Sequence, residues 1–145
     1  MNLRRAGAAD AEALARLHRH TVRVSLPFLP ELHTPAEDLA FFADEMLPKR
    51  EVWLAEADGV IGGYIAFRPG WIDHLFIHPD HQGAGLGPQL LKTALTPGSE
   101  WRLWTFQKNL RARAFYEARG FVLETLTDGQ DNEEKEPDAL YVWRG

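Results

Sequence analysis

Apolar residues recur three and four positions apart in the first third of the chain, which is the spacing of one face of a helix. Residues 8–20 carry the pattern first, with an apolar face made of Ala11, Leu14, Ala15, Leu17 and His18. A second helix begins at Thr34-Pro35-Ala36-Glu37, which matches a capping box with proline at the first helical position. This helix is predicted to run to about Leu47 and to bury Leu39, Phe42, Ala43 and Met46.

Two more helices are predicted in the second half of the chain. The first follows a glycine-rich loop and ends before Pro97-Gly98, and five of its residues face inward: Leu86, Leu90, Leu91, Ala94 and Leu95. The second starts at Asn109, which suits the N-cap position, and ends at Arg119. Gly120 then suits the left-handed backbone conformation that often follows a helix.

Strand patterns occupy much of the remaining sequence. Two β-rich runs flank Asp58-Gly59, a dipeptide suited to the tight turn of a hairpin, within residues 51–67. Five more strands are predicted at residues 2–5, 71–77, 101–106, 121–127 and 139–143. Strict alternation along 71–78 predicts two faces, with Trp71, Asp73, Leu75 and Ile77 on one and Ile72, His74, Phe76 and His78 on the other.

The order of these elements, β-α-α-β-β-β-α-β-α-β-β, predicts an α/β fold. A three-stranded meander followed by strand–helix–strand–helix–strand gives a mixed sheet with helices on its faces. A length of 145 residues is typical of one domain with a substantial core, so residues 1–145 are predicted to form a single domain.

Composition excludes several classes of protein and site. No run of about 18 apolar residues occurs, so no membrane partner is expected. The N-terminus lacks the features of a signal peptide, which indicates a cytoplasmic protein. The net charge of −5 argues against a nucleic-acid partner. The absence of cysteine excludes disulfides, thiolate zinc sites and a cysteine nucleophile.

Residues 82–87 read QGAGLG, with glycine at three alternate positions just before a predicted helix. Backbone N–H groups at a helix start are unsatisfied and the helix dipole is positive there, so the loop could hold an anion or simply turn the chain. Two familiar phosphate loops do not fit. The dinucleotide fingerprint would need glycine in place of Pro88, and no Gly-Lys-Ser/Thr occurs in the chain.

The pattern Gln82-x-x-Gly85-x-Gly87 instead matches the Q/R-x-x-G-x-G/A signature of the GNAT superfamily of acyl-CoA-dependent N-acyltransferases. LFIHPDHQGAGLG (75–87) resembles the family's central strand and pyrophosphate loop, and NLRARAFYEARGF (109–121) resembles its later segment. With the order of elements, the resemblance covers essentially the whole chain. It implies a central mixed, mostly antiparallel twisted sheet of about seven strands, flanked by about four helices.

The resemblance implies acetyl-CoA as the acyl donor and no metal. The pantetheine arm of the donor would pair with the backbone of Leu75, Phe76 and Ile77. The pyrophosphate would lie in the loop formed by Gln82, Gly83, Ala84, Gly85, Leu86 and Gly87, where Gln82 would stabilise the loop as much as it touches the ligand.

Three side chains are expected to serve the chemistry. Tyr116 corresponds to the family's usual general acid, and its alternative role is a core aromatic packed beside Phe115. Asn109 would hydrogen-bond the arm of the cofactor, act as an N-cap, or do both. Many family members carry a carboxylate on the central strand that accepts the amine proton, and Asp73, with His74 behind it, is the candidate here. A half-buried polar residue with a structural partner is the alternative for Asp73.

The acceptor is expected to be a primary amine of a small molecule or peptide, bound by the loops 21–34 and 128–138. The second loop is strongly acidic. It is either a solvated segment or the source of a negative electrostatic potential that attracts cationic substrates. Glu133 or Glu134 would bind the ammonium form of the acceptor or accept its proton. Without a cysteinyl acyl-enzyme, direct attack in a ternary complex is favoured.

Two other functions remain open at this point: a non-catalytic acyl-CoA-binding sensor or interaction module of the same fold, and a purely structural domain. A homodimer is a further expectation, because exposed edge strands often pair in such sheets.

Overall fold

A computed structural model describes all residues, 1–145. Seven strands form one sheet: β1 (Asn2–Arg5), β2 (Glu51–Ala57), β3 (Val60–Arg68), β4 (Trp71–Ile77), β5 (Glu100–Phe106), β6 (Val122–Leu126) and β7 (Asp138–Arg144). Their spatial order is β1-β2-β3-β4-β5-β7-β6, and only β4 and β5 run parallel to each other. The predicted mixed, mostly antiparallel sheet is therefore confirmed.

The helices are α1 (Ala11–Ser25), α2 (Pro35–Phe41), α3 (Leu47–Lys49), α4 (Leu86–Ala94) and α5 (Leu110–Ala118). A π-helical turn, Phe42–Met46, joins α2 to α3, so four helical segments flank the sheet. The predicted capping box is present, since Glu37 N donates to Thr34 Oγ1 at 3.2 Å and Thr34 N donates to Glu37 Oε1 at 2.9 Å. No helix is both long enough and apolar enough to cross a membrane.

The sheet separates two apolar cores, and β3 contributes to both because its side chains alternate between the faces. On one face, Tyr64 and Ala66 pack with buried residues of α1 and the π-helical turn. On the other, Ile65 and Phe67 pack with buried residues of α4, β5 and β7. These two layers fix the positions of β4 and of the helices on either side of it.

The buried face of the 35–49 segment differs from the prediction. Phe42 and Met46 are buried, but Ala43 is exposed and Leu39 keeps 39% of its surface accessible. A π-helical turn contains an extra residue, which rotates the residues before it relative to those after it. The predicted apolar face is therefore wrong for Leu39 and Ala43.

Strict alternation along β4 is also wrong, because the strand contains a β-bulge. His74 pairs with Ala66 and Ile72 pairs with Phe67, which leaves Asp73 as the extra residue. A bulge shifts the side chains on one side of it to the other face of the sheet. Ile72 is consequently buried in the core against which Leu75 and Ile77 pack, not on the face of His74 and Phe76.

Candidate functional site

Strands β4 and β5 diverge soon after they begin, and the gap between them opens into a cavity. The two strands pair only at Trp71–Arg102 and Ile72–Leu103. Beyond that point the cavity, of about 790 Å³, is lined by β4 on one side and by residues 103–106 of β5 on the other. Residues 75–77 therefore have a sheet partner in β3 but none on the side of β5.

Seven of the predicted site residues line this one cavity: Asp73, Leu75, Phe76, Asn109, Tyr116, Glu133 and Glu134. The remaining predicted residues, Ile77 and the loop 82–87, are not part of its wall. The structure thus brings together the predicted catalytic and acceptor residues, whereas the glycine loop lies beyond the end of β4.

The glycine loop has the backbone geometry of an anion site at a helix start. Gly83 and Gly85 have φ of +80° and +84°, and α4 begins directly after Gly85. None of the backbone N–H groups of residues 83–87 donates to an acceptor within the chain. Five consecutive free donors at the positive end of a helix dipole could hold a diphosphate without any basic side chain.

Contacts made at Gln82 and Gly87 fix the position of the glycine loop. Gln82 Nε2 donates to the carbonyl oxygen of Ile77 at 3.1 Å and to Ser25 Oγ at 3.3 Å, which joins the loop to β4 and α1. A Cβ atom at Gly87 would lie 3.0 Å from the ring of Phe115, so α4 and α5 approach each other closely there. These contacts are what a stabilising role of Gln82 requires, and its contact with a ligand stays a prediction.

Tyr116 lies on α5 with its ring packed against Phe115 and Phe121. The side chain is buried, and burial raises the pKa of its phenol above the ordinary value of 10. The hydroxyl forms no hydrogen bond within the chain, although the residue lines the cavity. Tyr116 is therefore both a core aromatic and a protonated donor available to a ligand.

Asn109 is the N-cap of α5, as predicted. Its Oδ1 accepts a hydrogen bond from Ala112 N at 3.1 Å. The residue also lines the cavity, which leaves its amide nitrogen free to face a ligand. The capping role is thus confirmed, and the role in binding the cofactor stays a prediction.

Asp73 has structural partners in addition to its place on the cavity wall. Its Oδ2 accepts from Arg50 Nε at 2.8 Å and from Arg68 Nε at 3.2 Å. The bulge in β4 directs the carboxylate to these two arginines. The structural alternative for Asp73 is therefore realised, and its role as a base stays a prediction.

Both predicted acceptor loops also line the cavity, through Leu26, Leu29, Glu31, Leu32, His33, Glu133 and Glu134, among others. His33 Nε2 lies 2.6 Å from Glu133 Oε1 and links the two loops. Arg19 Nη1 lies 2.9 Å from Asp38 Oδ2, so part of the acidic charge is already paired. Glu134 has no ion-pair partner within the chain and is free to meet a cation.

A cluster of aromatic and imidazole rings forms another part of the wall, and of its members only His74 is a site candidate from the sequence, as the residue behind Asp73. His18 of α1 and His74 of β4 both line the cavity, and both rings contact the hydroxyl of the buried Tyr64. The sequence contains only a weak indication of this cluster: His18 lies on the apolar face of its predicted helix, and His74 alternates with the apolar Phe76 along its strand. No group of three or more His, Asp or Glu side chains is arranged to hold a metal ion.

Comparison with known proteins gives consistent matches. Residues 17–121 match the family described as "Acetyltransferase (GNAT) family". The peptidyl-lysine N-acetyltransferase YjaB of Salmonella typhimurium is 29% identical over 132 residues, which cover 90% of each chain. The L-amino acid N-acyltransferase MnaT of Escherichia coli is 32% identical over 102 residues, which cover 63% of this chain but only 59% of that protein.

Solved structures match along the whole chain. Apo-YjaB from Escherichia coli superposes with a TM-score of 0.78 at 24% identity and covers 99% of this chain and 97% of its own. The acetyltransferase yncA from Salmonella typhimurium, solved with its cofactor acetyl-CoA, has a TM-score of 0.72 at 19% identity and covers 99% and 93%. At these identities the structures show a common fold.

Proposed function

Because the chain belongs to the GNAT acetyltransferase family, we propose that it transfers an acetyl group from acetyl-CoA to a primary amine by direct attack in a ternary complex. Membership makes the protein an acyl-CoA-dependent N-acyltransferase. The acetyl donor, the acceptor and the role of each residue are the parts that we propose. The observation that carries them is that the diverging edge of β4, Asn109 and Tyr116 all face one cavity.

The donor is proposed to lie along β4 and to end at the glycine loop. Its pantetheine arm would use the free edge of residues 75–77, which lacks a partner on the side of β5. Its diphosphate would accept hydrogen bonds from the free N–H groups of residues 83–87, and Asn109 would contact the arm. The thioester of the donor supplies the activated acetyl group.

Tyr116 is proposed as the general acid. A protonated phenol can donate to the thiolate that leaves the thioester, and burial keeps the proton on Tyr116 at neutral pH by raising its pKa. The free hydroxyl supports this role, since no group within the chain competes for its hydrogen bond. Two groups on β4 could accept the proton of the amine: the carboxylate of Asp73 and the imidazole of His74.

The acceptor is proposed to be the side-chain amine of a peptidyl lysine. YjaB, which aligns over 90% of the chain, is named for that acceptor, and MnaT, which is named for free amino acids, aligns over less of it. Glu134, with no partner in the chain, would attract the ammonium form, and Glu133 would contribute through its contact with His33. Free amino acids are the second acceptor class to test.

Calorimetric titration with acetyl-CoA is the first test, and Gly83→Glu is the informative variant. Gly83 and Gly98 both have φ of +80°, and a Cβ at either position meets no atom within 4 Å. Gly98→Glu therefore introduces the same charge and the same backbone strain away from the proposed site. We expect Gly83→Glu to lose micromolar binding and Gly98→Glu to retain it.

Turnover is then measured as release of free CoA with a lysine-containing peptide and with free L-amino acids. Release with an amine supports the transferase, and binding without release with either acceptor class would favour a sensor. Equal binding by Gly83→Glu and Gly98→Glu would place the diphosphate elsewhere. No binding of acetyl-CoA by the wild type would overturn the proposed donor.

A further inference from the structure

Two histidines share one buried hydroxyl at the wall of the cavity. Tyr64 Oη lies 2.9 Å from His18 Nδ1 and 2.9 Å from His74 Nδ1. The two imidazole rings stack, with centroids 4.9 Å apart and an interplanar angle of 18°. Tyr64 itself is fully buried behind them, whereas both histidines line the cavity.

The number of protons in this network restricts the tautomers of the two rings. Tyr64 has a single O–H, and its only hydrogen-bond partners are the two Nδ1 atoms. A buried donor left without an acceptor is costly, so the hydroxyl donates to one Nδ1 and accepts from the other Nδ1–H. When both rings are neutral, one therefore carries its proton on Nδ1 and has a free lone pair on Nε2. The other carries its proton on Nε2.

The surrounding charges distinguish the two rings. The carboxylate of Asp38, from α2, favours a positive charge on His18. The guanidinium of Arg50, from the residue before β2, disfavours one on His74, as does His18 itself. Asp73, the other charged group beside His74 in the sequence, is paired with Arg50 and Arg68. A proton gained by the network is consequently more stable on His18 than on His74.

We propose that His74 is the catalytic base of the acetyl transfer and that Tyr64 passes the proton on to His18. This inference rests on the proposed function and selects one of its two candidate bases. His74 is the better placed of the two rings, because it directly precedes residues 75–77 of β4, along which the donor is proposed to lie, whereas His18 belongs to α1. Tyr64 is a positioning residue, since it acts through the two imidazoles.

The acceptor enters the step as the neutral amine, after its ammonium form has released a proton to solvent, and from there the step balances without any further reactant. The amine nitrogen forms a bond to the thioester carbonyl carbon, the C–S bond breaks, and the electron pair of that bond leaves on sulfur. The nitrogen loses its proton to His74 Nε2, while Nδ1–H of His74 moves to Tyr64 and the Tyr64 proton moves to His18 Nδ1. Tyr116 gives its proton to the thiolate. After the products leave, the proton on His18 returns along the same path and restores Tyr116 through solvent.

Both rings are available as bases at neutral pH. Burial lowers the pKa of His18 to about 4 and lowers the pKa of His74 well below its ordinary value of 6.5. The proposed network is therefore neutral before the reaction, as the shared hydroxyl requires. Because neither imidazole changes charge above about pH 6.5, a rise of the reaction rate with pH in that range is expected to follow deprotonation of the acceptor ammonium, whose ordinary pKa for a lysine side chain is about 10.4.

An NMR measurement tests the network without any acceptor. Nitrogen-15 spectra of the histidine side chains distinguish Nδ1–H from Nε2–H tautomers. We expect Nδ1–H at His74 and Nε2–H at His18 near pH 7, and we expect His74 to change to Nε2–H in Tyr64→Phe. Two rings in the same tautomer, or the reverse pair, would overturn the proposal even if the wild type shows no turnover.

Kinetic variants test the chemistry once an amine acceptor is turned over. We expect His74→Gln to lower kcat about 100-fold or more and Tyr64→Phe to lower it at least about tenfold. The Kd of acetyl-CoA should stay within about twofold of the wild-type value. A fall in kcat at an unchanged Kd distinguishes the loss of the base from a structural defect of the donor site.

Asp73→Asn separates the rival base. A loss of kcat in Asp73→Asn larger than that in His74→Gln, at an unchanged Kd of acetyl-CoA, would assign the base to Asp73 and overturn the proposal. Activity within twofold of wild type in a folded His74→Gln would do the same. Failure of the wild type to release CoA with any amine would contradict the proposed function instead. The tautomer measurement would still show whether His18, Tyr64 and His74 form the proposed hydrogen-bond network.

Discussion

Asp73 Oδ2 accepts a hydrogen bond from Arg50 Nε at 2.8 Å, and this contact joins the bulge of β4 to the residue just before β2. The side chains are largely shielded, with 22% of Asp73 and 31% of Arg50 accessible. Arg68 approaches the same carboxylate from the end of β3. The extra residue of the bulge is thus held by two arginines, which couples the geometry of β4 to its neighbours.

Arg50→Gln should therefore destabilise the fold. A partly buried ion pair lies between exposed pairs and fully buried ones in strength, so we expect a loss of about 1–2 kcal/mol in the free energy of unfolding. Urea unfolding measures the loss. Lys49→Gln is the matched control, because Lys49 is the preceding residue and its pair with Glu45 is exposed, so its cost should stay below about 0.5 kcal/mol. Equal losses in the two variants would contradict a structural role for the Asp73–Arg50 pair.

Tyr116→Phe should lower kcat by about 100-fold or more while the Kd of acetyl-CoA stays unchanged, because the ring packing remains and only the proposed acid is lost. Tyr141→Phe is the control. The Tyr141 hydroxyl donates to Glu117 and accepts from Arg113, away from the cavity, so its loss should lower stability but not kcat. CoA release and thermal unfolding distinguish the two effects. A Tyr116→Phe enzyme with wild-type kcat would assign the acid elsewhere.

Gly87→Val should destabilise the packing of α4 on α5. Even a single Cβ would lie 3.0 Å from the Phe115 ring, and a branched side chain would force the helices apart at a cost of about 1–3 kcal/mol. Gln89→Val, at an exposed position of the same helix, should change stability by less than about 0.5 kcal/mol. Combining Gly87→Val with Phe115→Leu should recover part of the loss. No recovery would mean that the clash lies elsewhere.

Much of the fold could be predicted because local signals agree with one another. Asp58-Gly59 adopts φ of +52° and +77°, as a type I′ hairpin turn requires, and Gly120 has φ of +91° just after α5. Departures from regular geometry could not be predicted, and two of them affect the faces described above. The π-helical turn at 42–46 and the bulge at Asp73 each insert one residue, and periodicity contains no mark of either.

The candidate site was predictable where a motif marks the backbone. The glycine pattern marked the loop, and the later motif marked Asn109 and Tyr116. Tyr64 and His74 are diagonal neighbours on the paired strands β3 and β4, but their contact with His18 could not be predicted, because it forms only through the packing of α1 on the sheet. A lone histidine on an apolar face gives no indication of its partner.

In mild acid the free energy of unfolding should decrease as the pH is lowered, because of His18 and His74. In the unfolded chain a histidine has a pKa of about 6.5, whereas burial lowers the pKa of His18 to about 4 and that of His74 in the same direction. Between these values the unfolded state binds more protons, so the free energy of unfolding decreases as the pH falls. From about pH 7.5 to 5, His18 alone should account for about 2 kcal/mol.

Urea unfolding at the two pH values measures this loss. Replacing both residues, in His18→Gln with His74→Gln, should make the midpoint nearly independent of pH over this range. His20→Gln should keep the wild-type dependence, because His20 lies on the same helix with its ring exposed. If the double variant loses as much stability in acid as the wild type, other groups cause the loss and the two imidazoles are not held neutral by the fold.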